Sequence, residues 1–146
     1  MERAALLKFW NDAATEGLWA ASWHKSVSPL TAAQAAWTPA PGRHSVWQIV
    51  EHMIFWREDN LRRLAGGGKP TPEQLASGNF PVIADTSEAG WRGTVSRFER
   101  SHRQIADAIA DERNPLDRVQ YLLPHDCYHC GQINYLRALQ GLAPLE

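Results

Sequence analysis

Trp91, Val95, Phe98, His102, Ile105 and Ile109 recur at alternating spacings of four and three residues. Only an α-helix puts such positions on a single face. A stripe this narrow is the seam of a helix packed nearly parallel or antiparallel to its neighbours, so the chain is expected to bundle helices around one core. The remaining patterns agree. A broad apolar face from about Arg3 to Lys25 (Leu6, Leu7, Phe9, Trp10, Ala13, Ala14, Leu18, Trp19, Ala21) predicts a first long helix. Ser45, with Gln48 three residues on, forms a capping box that opens a second helix through Trp47, Val50, Ile54 and Leu61, ending at Gly66-Gly67-Gly68. The striped helix is expected to begin near Thr86 or Ser87. A last helix is expected to start near Pro124, a favoured first-turn residue, and to end at Gly141. Pro29, Pro39, Pro41 and Gly42 punctuate a connector between Ser26 and His44, in which Thr31 to Trp37 has room for a turn or two of helix. A longer connector runs from Gly66 to about Asp85, with a short helix expected at Glu73 to Ala76. No strand pair is evident. The prediction is an all-α, single-domain four-helix bundle over residues 1–146.

Composition narrows the function. The 15 basic and 16 acidic residues leave a net charge of −1, without the basic face that nucleic acid demands. No apolar run approaches the roughly 18 residues that span a bilayer, and the first residues lead into an amphipathic pattern, not a signal-peptide core. Two cysteines make no disulfide framework. A cytoplasmic location, with no nucleic acid or membrane partner, is the expectation. Seven tryptophans are many for 146 residues, and most are expected in the core or lining a pocket.

His125 and His129 stand four residues apart on the last helix, about 40° apart around its axis and one turn apart along it. Two imidazoles so placed reach a single metal ion. Gln132 shares their face, while Asp126 and Tyr128 flank the pair and are placed to orient a ring through its second nitrogen. A third ligand is still needed. His52 is the natural choice, because it sits mid-helix on a face with Gln48, Phe55, Trp56 and Asp59, where a buried imidazole wants a polar partner. Taken alone, a hydrogen-bonded core histidine is the commoner outcome at that position.

His125-Asp126-Cys127-Tyr128-His129-Cys130-Gly131-Gln132-Ile133 resembles the His-x-x-x-His-x-Gly-Gln-Ile signature of the DinB/YfiT-like proteins. Ser45 to His52 is similar to that family's second-helix motif, which ends in its first metal histidine. Trp37 to Ser45 and Leu136 to Gly141 also resemble their counterparts. The resemblance implies an up-down-down-up four-helix bundle, usually dimeric, with one divalent ion on His52, His125 and His129. It also implies that the family name, which comes from damage induction, says nothing of DNA binding. Family members with assigned chemistry include thiol-dependent S-transferases and isomerases that use bacillithiol or mycothiol.

Three neutral histidines leave coordination positions open, as catalytic sites do and closed structural sites do not. Such a metal activates a water for hydrolysis or presents a small-molecule thiol as thiolate. Imidazole ligands favour zinc or nickel. The expected function is therefore that of a metal-dependent enzyme acting on a small molecule, by thiol transfer or hydrolysis. The alternative is a non-catalytic, metal-binding dimer with a stress-related role. Asp59, His102 and Gln132 are the candidate catalytic groups, and the open position is expected to face a cleft lined by Trp56, Phe55, His102 and Tyr128. For His102 the plainer reading is a satisfied core histidine, and for Asp59 a solvated helix face. Arg57, Arg62 and Arg63 read as surface charge. Cys127 and Cys130 form a Cys-x-x-Cys, but both fall well off the histidine face and read as packing residues. His125-Asp126-x-x-His129 mimics a zincin motif with an acidic side chain too short to serve as base.

Overall fold

The computed structural model describes residues 1–145, which fold into eight helices with no strand among them. These are α1 (Arg3–Thr15), α2 (Trp23–Val27), α3 (Ala32–Ala36), α4 (Val46–Leu64), α5 (Pro72–Gly78), α6 (Glu88–Ala110), α7 (Leu116–Val119) and α8 (Leu122–Leu139). The four long ones, α1, α4, α6 and α8, are the ones expected, with one correction. The first apolar face does not run unbroken to Lys25. Gly17 adopts φ +88°, and a Cβ there would come within 2.5 Å of the Ala20 carbonyl oxygen. The chain therefore turns out of α1 and restarts at Ser22, whose hydroxyl accepts from the Lys25 amide to cap α2. Glycine just past one helix and serine just before the next are the boundary marks that the continuous apolar pattern concealed.

The other helix starts follow their caps. Ser45 and Gln48 form the reciprocal capping box of α4, and Thr31–Gln34 and Thr71–Gln74 do the same for α3 and α5. Ser87 caps α6. α8 begins at Leu122, two residues ahead of Pro124, which still falls in its first turn, where a missing N–H costs nothing.

Contacts between the long helices fix their relative directions. Trp47 donates its indole N–H to Thr94 Oγ1, Arg97 pairs with Glu51, and Arg57 reaches Ser101, so α4 and α6 advance together. Trp10 donates to the His102 carbonyl and Arg3 to that of Asp111, so α1 runs against α6. Trp10, Trp23, Trp47 and Trp91 are buried, and the indole N–H groups of Trp10, Trp47 and Trp91 each donate a hydrogen bond. Each thus contributes apolar burial without stranding a polar atom. Trp19 and Trp37 are exposed instead. Among the described residues no helix is long and apolar enough to cross a membrane.

Candidate metal centre

His52 projects from α4 towards His125 and His129 on α8, and one nitrogen from each ring lies within 4.8 Å of the other two. The ring centroids are 5.1 Å apart for His52–His125 and 4.5 Å for each of the other pairs. The second nitrogen of every ring is engaged. His52 Nδ1 lies 2.8 Å from the Asn79 carbonyl oxygen, His125 Nδ1 2.8 Å from Asp126 Oδ1, and His129 Nδ1 2.7 Å from Gln132 Oε1. All three partners are acceptors, so each Nδ1 carries the proton and each Nε2 offers a lone pair. His52 Nε2 and His125 Nε2 nonetheless approach to 3.1 Å. Two lone pairs that close repel unless a cation lies between them. The donor set therefore fits a divalent metal, with the outer partners that orient metal-binding imidazoles already in place.

Burial supports the neutral state. It pushes His52 down to about 4, with the charges of His129 and His125 adding to the effect and the Asn79 hydrogen bond opposing it. Burial lowers His129 as well, and the Gln132 hydrogen bond partly restores it.

Behind the histidines stands a second layer. Asp126 is fully buried, and its Oδ2 accepts from Arg57 Nε at 2.7 Å while its Oδ1 faces His125. Arg57 is likewise fully buried, so its reading as surface charge is corrected. Its guanidinium lies 4.2 Å from the Phe98 ring and about as near Trp10 and Trp23, at 5.1 and 5.0 Å. The connector between α4 and α6 closes over His52. Phe80 stacks on the His52 ring at 4.1 Å and on His44 at 3.9 Å, Trp56 Nε1 donates to Asn79 Oδ1, and Gln48 Nε2 donates to the Pro81 carbonyl. Sequence reasoning missed Asn79, Phe80 and His44. Asn79 meets His52 through its main chain, which no residue type announces.

The histidines open into a cleft of about 870 Å³, walled by Pro39, Ala40, Arg43 and His44 on one side, Trp56 and Phe80 on another, and Tyr128, Tyr135, Leu136 and Leu139 of α8. Trp56 and Tyr128 line it as expected; Phe55 and His102 do not. Gln132 does, and its Nε2 donates to the Tyr128 hydroxyl. Asp59 lies two turns from His52, about 10 Å along the axis. Its carboxylate is held by Arg62 and approached by Arg63 at 3.6 Å, in a separate recess with Phe55 and Gly78. That carboxylate is buried, not solvated. Cys130 packs against Ser26 and the Ala21 carbonyl, and burial together with the Asp126 charge pushes the Cys127 thiol up to about 11, far from a reactive thiolate.

His102 stacks on Trp10 at 5.2 Å and sits edge-on to Trp23. It belongs to the core and not to the cleft. Burial, reinforced by the Arg57 charge, lowers it to about 4 from an ordinary 6.5. The unfolded chain therefore takes up this proton first. Stability from this group is complete above pH 6.5 and drains away as pH falls towards 4, by at most about 1.4 kcal/mol per pH unit. Urea denaturation of the metal-free protein at pH 6.5, 5.5 and 4.5 is expected to show wild type losing ground to His102→Phe at close to that rate. A pH-independent gap between the two would show that His102 does not titrate as its burial requires.

Residues 14–133 match the model of the DinB superfamily. The chain belongs to the DinB superfamily. No curated protein and no solved structure matches it significantly. The match spans the whole of α4 and α8 as far as Ile133, so all three convergent imidazoles of this DinB protein lie inside the part of the chain that carries the family likeness.

Proposed function

We propose that this DinB protein is a metal-dependent enzyme that holds one divalent ion, zinc or nickel, on His52, His125 and His129 and acts on a small molecule by thiol transfer or hydrolysis. One observation carries the reading: the three lone pairs face an open, largely apolar cleft. A structural ion would be expected to have a fourth protein ligand, yet among the described residues no other Cys, Asp or Glu joins the group. When bound there, a divalent ion supplies Lewis acidity that makes a neighbouring water or thiol more acidic. The chain's own residues do the rest. Asn79, Asp126 and Gln132 accept from the Nδ1 atoms and so keep each Nε2 aimed at the ion's position. Tyr128, whose oxygen accepts from Gln132, keeps its own proton available for a substrate atom in the cleft. Trp56 and Leu139 supply apolar walls.

We also read the four long helices as the up-down-down-up bundle, since α4 follows α6 and α1 opposes it. A homodimer is favoured by Tyr121, at the N-cap of α8, and Tyr128 and Tyr135 within it, which recur every seven residues and are 68, 63 and 67% exposed. The same stripe would suit the alternative, a non-catalytic metal-binding dimer.

Elemental analysis and light scattering of the purified protein test these readings together. About one zinc or nickel per chain is expected, falling to none in the His52→Ala/His129→Ala double variant. A wild-type protein that neither retains nor takes up either ion removes the metal reading. A loaded protein that turns over no substrate in thiol-transfer and hydrolase screens leaves the non-catalytic dimer as the better account.

A further inference from the structure

Among the described residues that line the cleft, Arg43 is the only side chain of permanent charge, and no Asp or Glu accompanies it there. It sits on the turn from Pro39 to His44, in which Gly42 adopts φ +74° and the Arg43 amide donates to the Ala40 carbonyl. The guanidinium has no hydrogen bond or ion pair with any described residue. Elsewhere the chain's arginines are commonly paired. Arg57, Arg62, Arg63, Arg92, Arg97 and Arg113 each meet a carboxylate. Away from the three site histidines, His44 and Gln132, the walls are mainly aromatic and aliphatic, among them Trp56, Phe80, Tyr135, Leu136 and Leu139.

We infer that the cleft selects an apolar small molecule carrying one carboxylate, with Arg43 as the residue that reads the charge. This rests on the reading of the cleft as a substrate site. A planar guanidinium that spends no donor on a described residue matches a carboxylate in two parallel hydrogen bonds. An apolar body then covers the walls, and among the described residues no acidic lining residue repels the ligand. A neutral ligand would fill the same walls and leave Arg43 unanswered. A ligand with two or three charges would bury some of them against Leu136 and Leu139 without partners.

The test is binding of 1-naphthylacetate and of its neutral match 1-naphthylacetamide, by calorimetry. Chelator-stripped protein is used first, so that no ion competes for the carboxylate, and zinc-loaded protein second. Stripped wild type is expected to prefer the acid by about threefold to tenfold, the range for a partly exposed charge pair. Arg43→Gln should bring the two ligands to near equality and Arg43→Lys should keep part of the preference, with thermal melts unchanged because the side chain is exposed. Equal affinities in wild type, an undiminished preference in Arg43→Gln, or no binding of either ligand would each overturn the inference. Metal content is measured on the same samples. A protein that takes up zinc without an Arg43-dependent preference fails this inference alone. One that shows the preference without taking up zinc fails the metal reading alone.

Discussion

Replacing Arg57 with Ala is expected to cost about 3–5 kcal/mol of folding stability, the usual penalty for orphaning one partner of a buried ion pair. Both members of the Arg57–Asp126 pair have no exposed side-chain surface. Burial acts against the guanidinium's charge, and the Asp126 carboxylate beside it offsets part of that cost. Arg57 Nη1 also donates to the Phe98 carbonyl at 3.0 Å and to Ser101 Oγ at 3.1 Å, tying α4 to α6 as well as to α8. Removing the side chain empties a volume between Trp10, Trp23 and Phe98 and leaves a carboxylate in the core with no counter-charge. Urea denaturation at pH 7 reads the loss directly. The paired variant Arg57→Met/Asp126→Leu, which replaces both charges by apolar groups, is expected to recover most of it. An Arg57→Ala protein within about 1 kcal/mol of wild type would show that the pair contributes little to holding the three helices together.

Asp126→Asn separates orientation of the histidine from packing, because the two residues have the same shape. The carboxylate accepts on both edges, from Arg57 Nε on one and from His125 Nδ1 on the other. An amide has a single accepting edge. If its oxygen stays with Arg57, the NH₂ group faces His125, and the imidazole must move its proton to Nε2 and give up the lone pair aimed at the metal. If its oxygen turns to His125, Arg57 meets a donor. Zinc affinity, measured by competition with a chelating dye, is therefore expected to fall by about 10- to 100-fold, as for other losses of a group behind a metal ligand. A stability loss is expected alongside it. The Arg57→Met/Asp126→Leu protein, refolded in stability but lacking the acceptor, should show the affinity loss alone. Unchanged zinc affinity in Asp126→Asn would mean that His125 is oriented by something other than Asp126.

The residues that were legible in advance are those whose role depends on local spacing. The α6 stripe, the Ser45–Gln48 capping box and the His125/His129 pair each state their geometry within one or two turns of helix. Gly17 was legible in principle, but the hydrophobic periodicity on both sides of it argued for continuity and concealed the break. Arg57 had a signal as well: it follows Val50, Met53 and Ile54 at helical spacing, on a face that is wholly buried. Its charge, in the polar run Arg57-Glu58-Asp59, points to solvent and masks that position. Asp59 and His102 show the limit from the other direction. Asp59 shares a helix face with His52, and His102 lies on the inward stripe of α6, but such a face extends along the whole helix and the cleft occupies only part of the bundle. Phe80 and Arg43 reach the cleft from connectors, and no periodicity links a connector to the helix it covers.

The hydrogen bond from His52 to the Asn79 carbonyl has a consequence for how this protein can change. Because the acceptor belongs to the main chain, every amino acid at position 79 provides it, and exchange there would cost the Trp56 contact while leaving the imidazole aimed. Deleting one residue between Gly66 and Asn79 is different. It would draw the chain back by up to about 3.5 Å, farther than the hydrogen bond is long. What lineages of this protein must preserve in the connector is therefore its count of residues more than their identities, a constraint that a column-by-column comparison of side chains would pass over.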